Sequence, residues 1–474
     1  MRRARRYSTL VGTFVLLAAS CSRAPEPPHG PGDVATGGAA GLSTSGTGGT
    51  GGLGGEAGHN GTGGAAGQRG SDDTAWIDDP RIWPEVKLQI PAGDFILQQG
   101  VPSKLRFPTL QWESCGVGCE ATALDAFDTT GEVAMSAIGV GSETRAFVAV
   151  GHGLKKKDGK WHNFRRVIRL SDGATMASLR ITPSSLDSEG AFTYRFESAA
   201  MAMVLGGPQN GTLYAQFDPD MGWTFREPWD SDRQRGAWCE PFDLESSPPS
   251  LYFPCGLQGL QMMVDSGSST IVTLPESQGA MVGAGNFGLA VWSEFSVEGP
   301  RKSRIRARSV EGEVRSLGEL PGDVCGLGVG AKRVVGFRGD GPVSSDLCGS
   351  ALVNPRFFSL SRSDADLREG PVLDGPYGVG AVSTWGDFAA VVMDRPPSAT
   401  GPDRVSVTLV RLSDWKMRRF PTPPGRTLAL SGVVVDDHYL YFSVGYDEWP
   451  RFRELDRIYR YRLDQFDNIG DPVN

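Results

Sequence analysis

Arg169-Leu170-Ser171-Asp172-Gly173 and Arg411-Leu412-Ser413-Asp414 are near-copies, each marking where an apolar alternating segment runs into an acidic turn and out into a second one. Five further corners of the same kind are Phe217-Asp218-Pro219-Asp220-Met221-Gly222, Met263-Val264-Asp265-Ser266-Gly267, Ser309-Val310-Glu311-Gly312, Ser361-Arg362-Ser363-Asp364 and Arg462-Leu463-Asp464. Counted on the acidic residue, with Asp220 for the second corner, the steps are 48, 45, 46, 53, 50 and 50 residues. Strand-rich sequence with a period of roughly 40–50 residues is the pattern of a β-propeller blade.

A second marker keeps the same period. Asn286-Phe-Gly-Leu-Ala-Val-Trp292, Lys332-Arg-Val-Val-Gly-Phe337, Asp387-Phe-Ala-Ala-Val-Val392 and Asp437-His-Tyr-Leu-Tyr-Phe442 each begin polar and turn apolar, with starts 46, 55 and 50 residues apart. Continuous apolar runs of this length suit strands buried on both faces, so they are read as the second strand of successive blades. The acidic corners then join third strands to fourth strands. Only ten residues follow Asp464, too few for a further strand and its turn, whereas Leu110–Asp125 precedes the first complete blade. That N-terminal stretch is expected to supply the missing strand and close the ring, which removes exposed sheet edges. The expected fold is all-β: a single propeller of four-stranded blades, seven in number. Eight is the alternative, because Cys115-Gly-Val-Gly-Cys119 itself resembles a corner.

Three regions follow from composition. Residues 1–20 read as a signal peptide: Arg2, Arg3, Arg5 and Arg6 precede the short, mostly apolar stretch Leu10–Ala19. Residues 21–74 are dominated by Gly, Ala, Ser and Thr, too poor in bulky apolar groups to offset the entropy of ordering, and are expected to form a flexible tether. Residues 75–474 form the propeller. The net charge of −8 gives no basic face for nucleic acid, and nothing after residue 25 approaches the roughly 18 apolar residues of a membrane span.

Leu16-Leu17-Ala18-Ala19-Ser20-Cys21 resembles the lipobox of bacterial lipoproteins, with Ala18 where that family usually carries Leu. The resemblance implies a lipid on Cys21 and an address in the cell envelope, as an outer-membrane lipoprotein facing the periplasm or the exterior. Ordinary cleavage near Ala18-Ala19-Ser20, giving a secreted protein, is the alternative. Lipobox, glycine tether and propeller together resemble the surface lipoproteins of gliding social soil bacteria.

Setting Cys21 aside leaves six cysteines: Cys115, Cys119, Cys239, Cys255, Cys325 and Cys348. An even number in an exported chain points to disulfides, and sequence proximity favours 115–119, 239–255 and 325–348 among the possible connectivities. A zinc reading of Cys115 and Cys119 needs two further ligands that the neighbouring sequence does not offer.

Asp218-Pro-Asp220-Met-Gly222-Trp-Thr224-Phe225 resembles the Asp-box hairpin of sialidases and non-catalytic propellers. Asp220, Gly222 and Thr224 match, while Phe225 stands for the family's Trp and Asp218 for its Ser. The resemblance implies a structural role for these residues, the aspartate bracing the turn away from any ligand. The arginine cluster and Phe/Tyr-Arg-Ile-Pro motif of the sialidases are not found.

Ligands of propellers usually meet the loops joining strands two to three and four to one. Those loops carry Trp161, Trp229, Asp230, Arg233, Arg235, Trp238 and Trp449, and tryptophan beside charge suits stacking on sugars or gripping a peptide. No catalytic residue, metal ligand or cofactor motif is identified, since the histidines lack ligand spacing and no nucleophile elbow, phosphate loop or dinucleotide fingerprint occurs. The leading expectation is a monomeric binding or scaffold module for a protein or glycan, touching the membrane through its lipid alone. The alternative is a secreted hydrolase or lyase acting on polysaccharide; a propeller serving only as a spacer is a third reading.

Overall fold

The chain divides into two units, Met1–Thr74 and Ala75–Asn474. The computed structural model describes Trp76 and residues 79–473, apart from 86–94, 108, 124–128, 141–142, 156–160, 184–194, 198–201, 206–211, 220–221, 230–241, 245–249, 255–259, 266–268, 274–279, 296–300, 310, 342–351, 365, 375–376, 395–404, 424–425 and 447–454. The expected signal peptide, Cys21 and the tether lie outside the described residues.

Ala75–Asn474 is an all-β propeller. Three strands come first: β1 (Phe95–Gln99), β2 (Glu113–Gly116) and β3 (Cys119–Ala123). The first sheet follows with β4 (Thr129–Val140), β5 (Glu143–Lys155), β6 (Trp161–Arg169) and β7 (Thr175–Pro183). The second has β8 (Arg195–Glu197), β9 (Ala202–Leu205), β10 (Thr212–Asp218) and β11 (Gly222–Trp229). The third has β12 (Phe242–Leu244), β13 (Ser250–Pro254), β14 (Leu260–Asp265) and β15 (Ser269–Thr273). The fourth has β16 (Ala280–Asn286), β17 (Leu289–Phe295), β18 (Lys302–Ser309) and β19 (Val314–Pro321). The fifth has β20 (Asp323–Val329), β21 (Arg333–Gly339), β22 (Arg356–Ser361) and β23 (Leu367–Glu369). The sixth has β24 (Gly378–Trp385), β25 (Phe388–Asp394), β26 (Val405–Arg411) and β27 (Met417–Pro421). The seventh begins with β28 (Arg426–Val435), β29 (Tyr439–Tyr446) and β30 (Leu455–Arg462), and the chain ends with β31 (Asp471–Val473).

Each sheet is an antiparallel meander starting from its inner strand. The seventh is completed by β3, which pairs with β30 from Cys119↔Tyr461 to Ala123↔Arg457, and β2 adds outside β3. The closing strand thus comes from the stretch expected to supply it. Chain ends cover two other outer edges as well: β1 pairs with β7, and β31 with β27. Upstream of β2, Trp76, Ile82 and Trp83 pack on Phe164 of β6, and the Arg166 guanidinium lies 4.2 Å from the centre of the Phe107 ring.

The second strands are the core. All but the last residue of β17 and all but the first of β21 are buried, because each lies between the faces of two neighbouring sheets. Val334, Phe358 and Leu360 of the fifth sheet join Val291, Ile305 and Leu317 of the fourth in one apolar cluster. Val335, Phe337 and Phe357 join Val391, Met393 and Val410 of the sixth in the next. At about 25 cal/mol per Å² of apolar surface, these seams supply most of the drive to fold.

The acidic corners take the place expected of them. Asp172, Asp265, Glu311, Asp364 and Asp414 lie at connections between third and fourth strands, and Asp464 follows β30. Asp220 is outside the described residues, while Gly222 beside it has φ +80°. Asp172 accepts a bond from Ala174 N (3.1 Å), and Asp414 one from Lys416 N (3.1 Å), so each carboxylate braces the turn that carries it. Arg169 and Arg411, ending the preceding strands, grip the same carboxylates.

The expected count of seven blades, with eight as the alternative, is corrected to five. The inner strands β4, β16, β20, β24 and β28 span seven to twelve residues, and hydrogen bonds or packing link their sheets in a closed circuit. Asn286 ties the fourth sheet to β4, Arg362 of the fifth donates to Phe287 O, and β20 packs on β24. Val435 N donates to Ser383 Oγ of the sixth (2.9 Å), and Thr144 N of the first donates to Asp437 Oδ2 of the seventh (3.4 Å). The second and third sheets, which lie between the first and fourth in the chain, start from inner strands of only three residues and pack against those neighbours. A corner between third and fourth strands recurs whether or not the inner strand is long, so the period counted sheets rather than blades in the circuit. The eighth candidate corner, at Cys115–Cys119, joins β2 to β3 within the seventh sheet.

Hydrogen bonds from Arg411 hold the Asp414 carboxyl at about 2, below its ordinary 3.8. A depressed carboxylate contributes stability above the unfolded value that is lost as pH falls through the folded one. Folding stability is therefore expected to drop from about pH 4 toward pH 2, and Asp414→Asn to flatten that part of the curve. Denaturant midpoints across the range check it.

Candidate functional site

An antiparallel meander puts its connections at two ends, and here the ends differ. Connections from first to second strands are short, as at residues 287–288 and 386–387. Those from second to third and fourth to first include residues 340–355, 395–404 and 230–241. Two of the expected ligand-facing residues, Trp161 and Trp229, have described backbone at the long-loop end. Trp161 opens β6 opposite Lys155, and Trp229 closes β11 opposite Thr212, so both strand ends point to that end on sheets adjacent in the chain. Asp230, Arg233, Arg235, Trp238 and Trp449 lie outside the described residues. Thr224 of β11 pairs with Gln216 of β10.

The described part of this end centres on the fifth sheet. The Arg338 side chain, 3% exposed, donates from Nε to Glu369 Oε1 (2.6 Å) and from Nη1 to Pro321 O (2.9 Å). Asp340 lies 3.7 Å from the same guanidinium, accepts from Asn354 Nδ2 (2.8 Å) and pairs with Arg356 at 3.4 Å. Backbone bonds from Asp340 N to Val353 O (2.8 Å) and Val353 N to Gly341 O (2.9 Å) pinch the loop at its base. A buried guanidinium needs its charge matched and its donors used. The network meets both needs and fixes where the long loop leaves the sheet. Arg301 and Asp323 form a second pair at the same end, 2.7 Å apart.

At the short-turn end the ring is closed by a clasp. Asn286 Nδ2 donates to Ala137 O (2.8 Å), and its Oδ1 accepts from Gly139 N (2.9 Å), so one side-chain amide mimics a neighbouring strand for β4. The Phe287 ring lies against Gly139, where a Cβ would come within 2.2 Å of it, and stacks on Trp385 with centroids 5.5 Å apart. Arg362 Nη2 donates to Phe287 O at 3.1 Å. Phe287 and Gly288 both have positive φ, 49° and 67°, the geometry of a tight two-residue hairpin. For a residue with a bulky side chain this backbone is costly, and the ring contacts offset it. Nearby, burial raises the Asp437 carboxyl above its ordinary value.

Cys115 and Cys119 are bonded, as the sequence predicts. Cys325 is disulfide-bonded too, while Cys348, Cys239 and Cys255 lie outside the described residues. Among the described residues no group of three His, Cys, Asp or Glu is placed to hold a metal ion.

No family model and no curated protein matches the chain. Solved structures that resemble it include the β-propeller domain of the Trilobed protease from Pyrococcus furiosus, at 12% identity, covering 68% of this chain and 92% of that one with a TM-score of 0.36. Apo AztD from Citrobacter koseri shows 13% identity, coverage of 64% and 78%, and a TM-score of 0.32. Pyrococcus horikoshii acylaminoacyl peptidase shows 10% identity and a TM-score of 0.35; the match covers 70% of this chain and about half (52%) of that one.

The Arg338 network and the clasp escape sequence reading because their partners are distant: Arg338 and Glu369 are 31 residues apart, Asn286 and Ala137 149. The one local signal for the clasp was the polar start of the second-strand motif. Removing Glu369 leaves Arg338 buried with a more distant carboxylate. Glu369→Ala is expected to cost about 1–3 kcal/mol and Glu369→Gln less, since the amide oxygen still accepts. Asn286→Ala is expected to speed exchange of the Gly139 amide while leaving β21 unchanged. Denaturant midpoints and hydrogen exchange check the two.

Proposed function

We propose that this chain is a binding or scaffold propeller of the cell envelope, held to a membrane by a lipid on Cys21 and engaging a protein or glycan through its long-loop end. The observation that carries the reading is the asymmetry of the connections. Two-residue turns at 287–288 and 386–387 lie at one end and long connections such as 395–404 at the other; Trp229 closes β11, and the sequence assigns Asp230, Arg233, Arg235, Trp238 and Trp449 to connections of the long class. Strands supply a rigid frame, and loops of unequal length supply shape and chemistry that differ around the ring. Tryptophan offers a flat apolar face and one N–H donor, suited to a sugar ring or an extended peptide.

The test is capture from envelope extracts and glycan arrays with the full chain in detergent. The triple change Trp229→Ala, Trp238→Ala and Trp449→Ala is expected to weaken capture at least tenfold with the circular dichroism unchanged. Equal capture by the variant would remove the loop site. Separately, Cys21→Ser is expected to release the protein into the soluble fraction, and retention in the membrane would contradict lipidation.

A further inference from the structure

The seam that closes the ring carries the disulfide. Cys115 lies one residue before the end of β2, Cys119 opens β3, and the bond spans only Gly116-Val117-Gly118. This hairpin tip is accessible: Cys115 is exposed and Val117 is 68% exposed, while Cys119 is buried. Gly116 and Gly118 both have positive φ, so the tip is shaped by two residues that have wide conformational freedom once the bond is cut.

Several contacts of the seam depend on where the tip sits. Arg462 N donates to Gly118 O (2.9 Å), and a Cβ on Gly118 would lie 2.9 Å from Ile469 and 3.1 Å from Gln465. The tip therefore rests on the segment that carries the chain from β30 across to β31. One residue inside it, Glu120 of β3 pairs with Arg460 of β30 at 2.5 Å. Arg460 also reaches Ser171 O of the first sheet (3.2 Å) and lies over the Trp112 ring at 4.1 Å. Leu110 N donates to Gly173 O at the first acidic corner. The N-terminal strand, the C-terminal crossing and the first blade thus meet within a few residues of one accessible disulfide.

We propose that Cys115–Cys119 is a thiol-sensitive latch on ring closure, opened by a dithiol reductant. A thiolate of the reductant attacks Sγ of Cys115, breaking the S–S bond, forming a mixed disulfide and releasing the Cys119 thiolate. The second thiol of the reductant then displaces Cys115. The net transfer is two electrons and two protons: both cysteines end as thiols and the reductant as a disulfide. Access favours attack at an exposed sulfur: Cys115 is exposed, whereas Cys325, the other described disulfide cysteine, is only 6% exposed. Loss of the bond frees the glycine tip, and the β3–β30 pairing then opens more often.

The test uses the full chain. Under limiting dithiothreitol, differential alkylation is expected to find Cys115 and Cys119 modified before Cys325. Reduction of Cys325 first, or an unreactive 115–119 bond, would overturn the proposal. Hydrogen exchange without reductant on Cys115→Ser/Cys119→Ser keeps the Cys325 bridge intact. Amides of residues 119–123 and 457–461 are expected to exchange at least tenfold faster than in the native protein, with 333–339 and 356–361 unchanged. Reoxidising the reduced native protein is expected to restore slow exchange. Exchange at the seam within twofold of the oxidised native protein, in either the variant or the reduced protein, would show that the bond does not govern closure.

Discussion

One sheet of this ring is built from both ends of the chain, and its integrity rests on the pairing of β3 with β30. Five backbone pairs from Cys119↔Tyr461 to Ala123↔Arg457 join residues more than 330 positions apart. Such a contact carries the entropy cost of closing a very long loop, which its pairing and side chains must offset. The side chains around it explain how the seam holds. Arg460 makes an ion pair with Glu120, a bond to Ser171 O and ring contacts with Trp112 and Tyr439, so one guanidinium spans the N-terminal strand, the last sheet and the first acidic corner. Burial of Val148, Ile168, Val434, Tyr441 and Ile458 in one cluster then fuses the first and seventh sheets.

The same logic governs the outer edges. A strand at an open edge presents unpaired donors and acceptors that invite other chains. β1 covers the first sheet, β31 the sixth and β2 the seventh, all drawn from segments before or after the repeating part. The fourth sheet's outer strand, β19, is protected differently: its pairing with β18 shifts register between Ile305 and Arg306, its exposed positions carry Arg315 and Glu319, and it ends at Pro321. The fifth ends on β23, three residues long, with Arg368 at its centre. Chain termini and local negative features thus do the same work at different positions around the ring.

What the sequence disclosed follows from what repeats. Asp172, Asp364 and Asp414 recur because each of these corners meets the same need for a carboxylate facing a backbone N–H, and a local need leaves a local trace. The second strands were legible for a similar reason: burial on both faces demands an unbroken apolar run such as Leu289-Ala290-Val291-Trp292. The closing strand followed from a shortage of residues after Asp464. Blade number did not, since it depends on the length of inner strands such as β8 and β12, and no corner records that length. The clasp and the Arg338 network were hidden because Asn286, Arg338 and Glu369 are unremarkable in their own neighbourhoods. Their roles arise only when distant strands meet. The cysteine pair at the seam was the exception, since a bond across three residues is set by local geometry.

The clasp also gives the two ends of the ring different mechanical characters. Phe287 holds a backbone conformation that costs roughly 1–2 kcal/mol for a side chain of its kind, and such a position persists only where its surroundings over-determine it. Four separate contacts do so: Asn286 on β4, the bare backbone of Gly139, the stacked Trp385 and the donor Arg362. They come from four of the five sheets in the circuit, so this turn ties the first, fourth, fifth and sixth sheets together at one point. At the other end the Arg338 network fixes the base of the loop that follows β21.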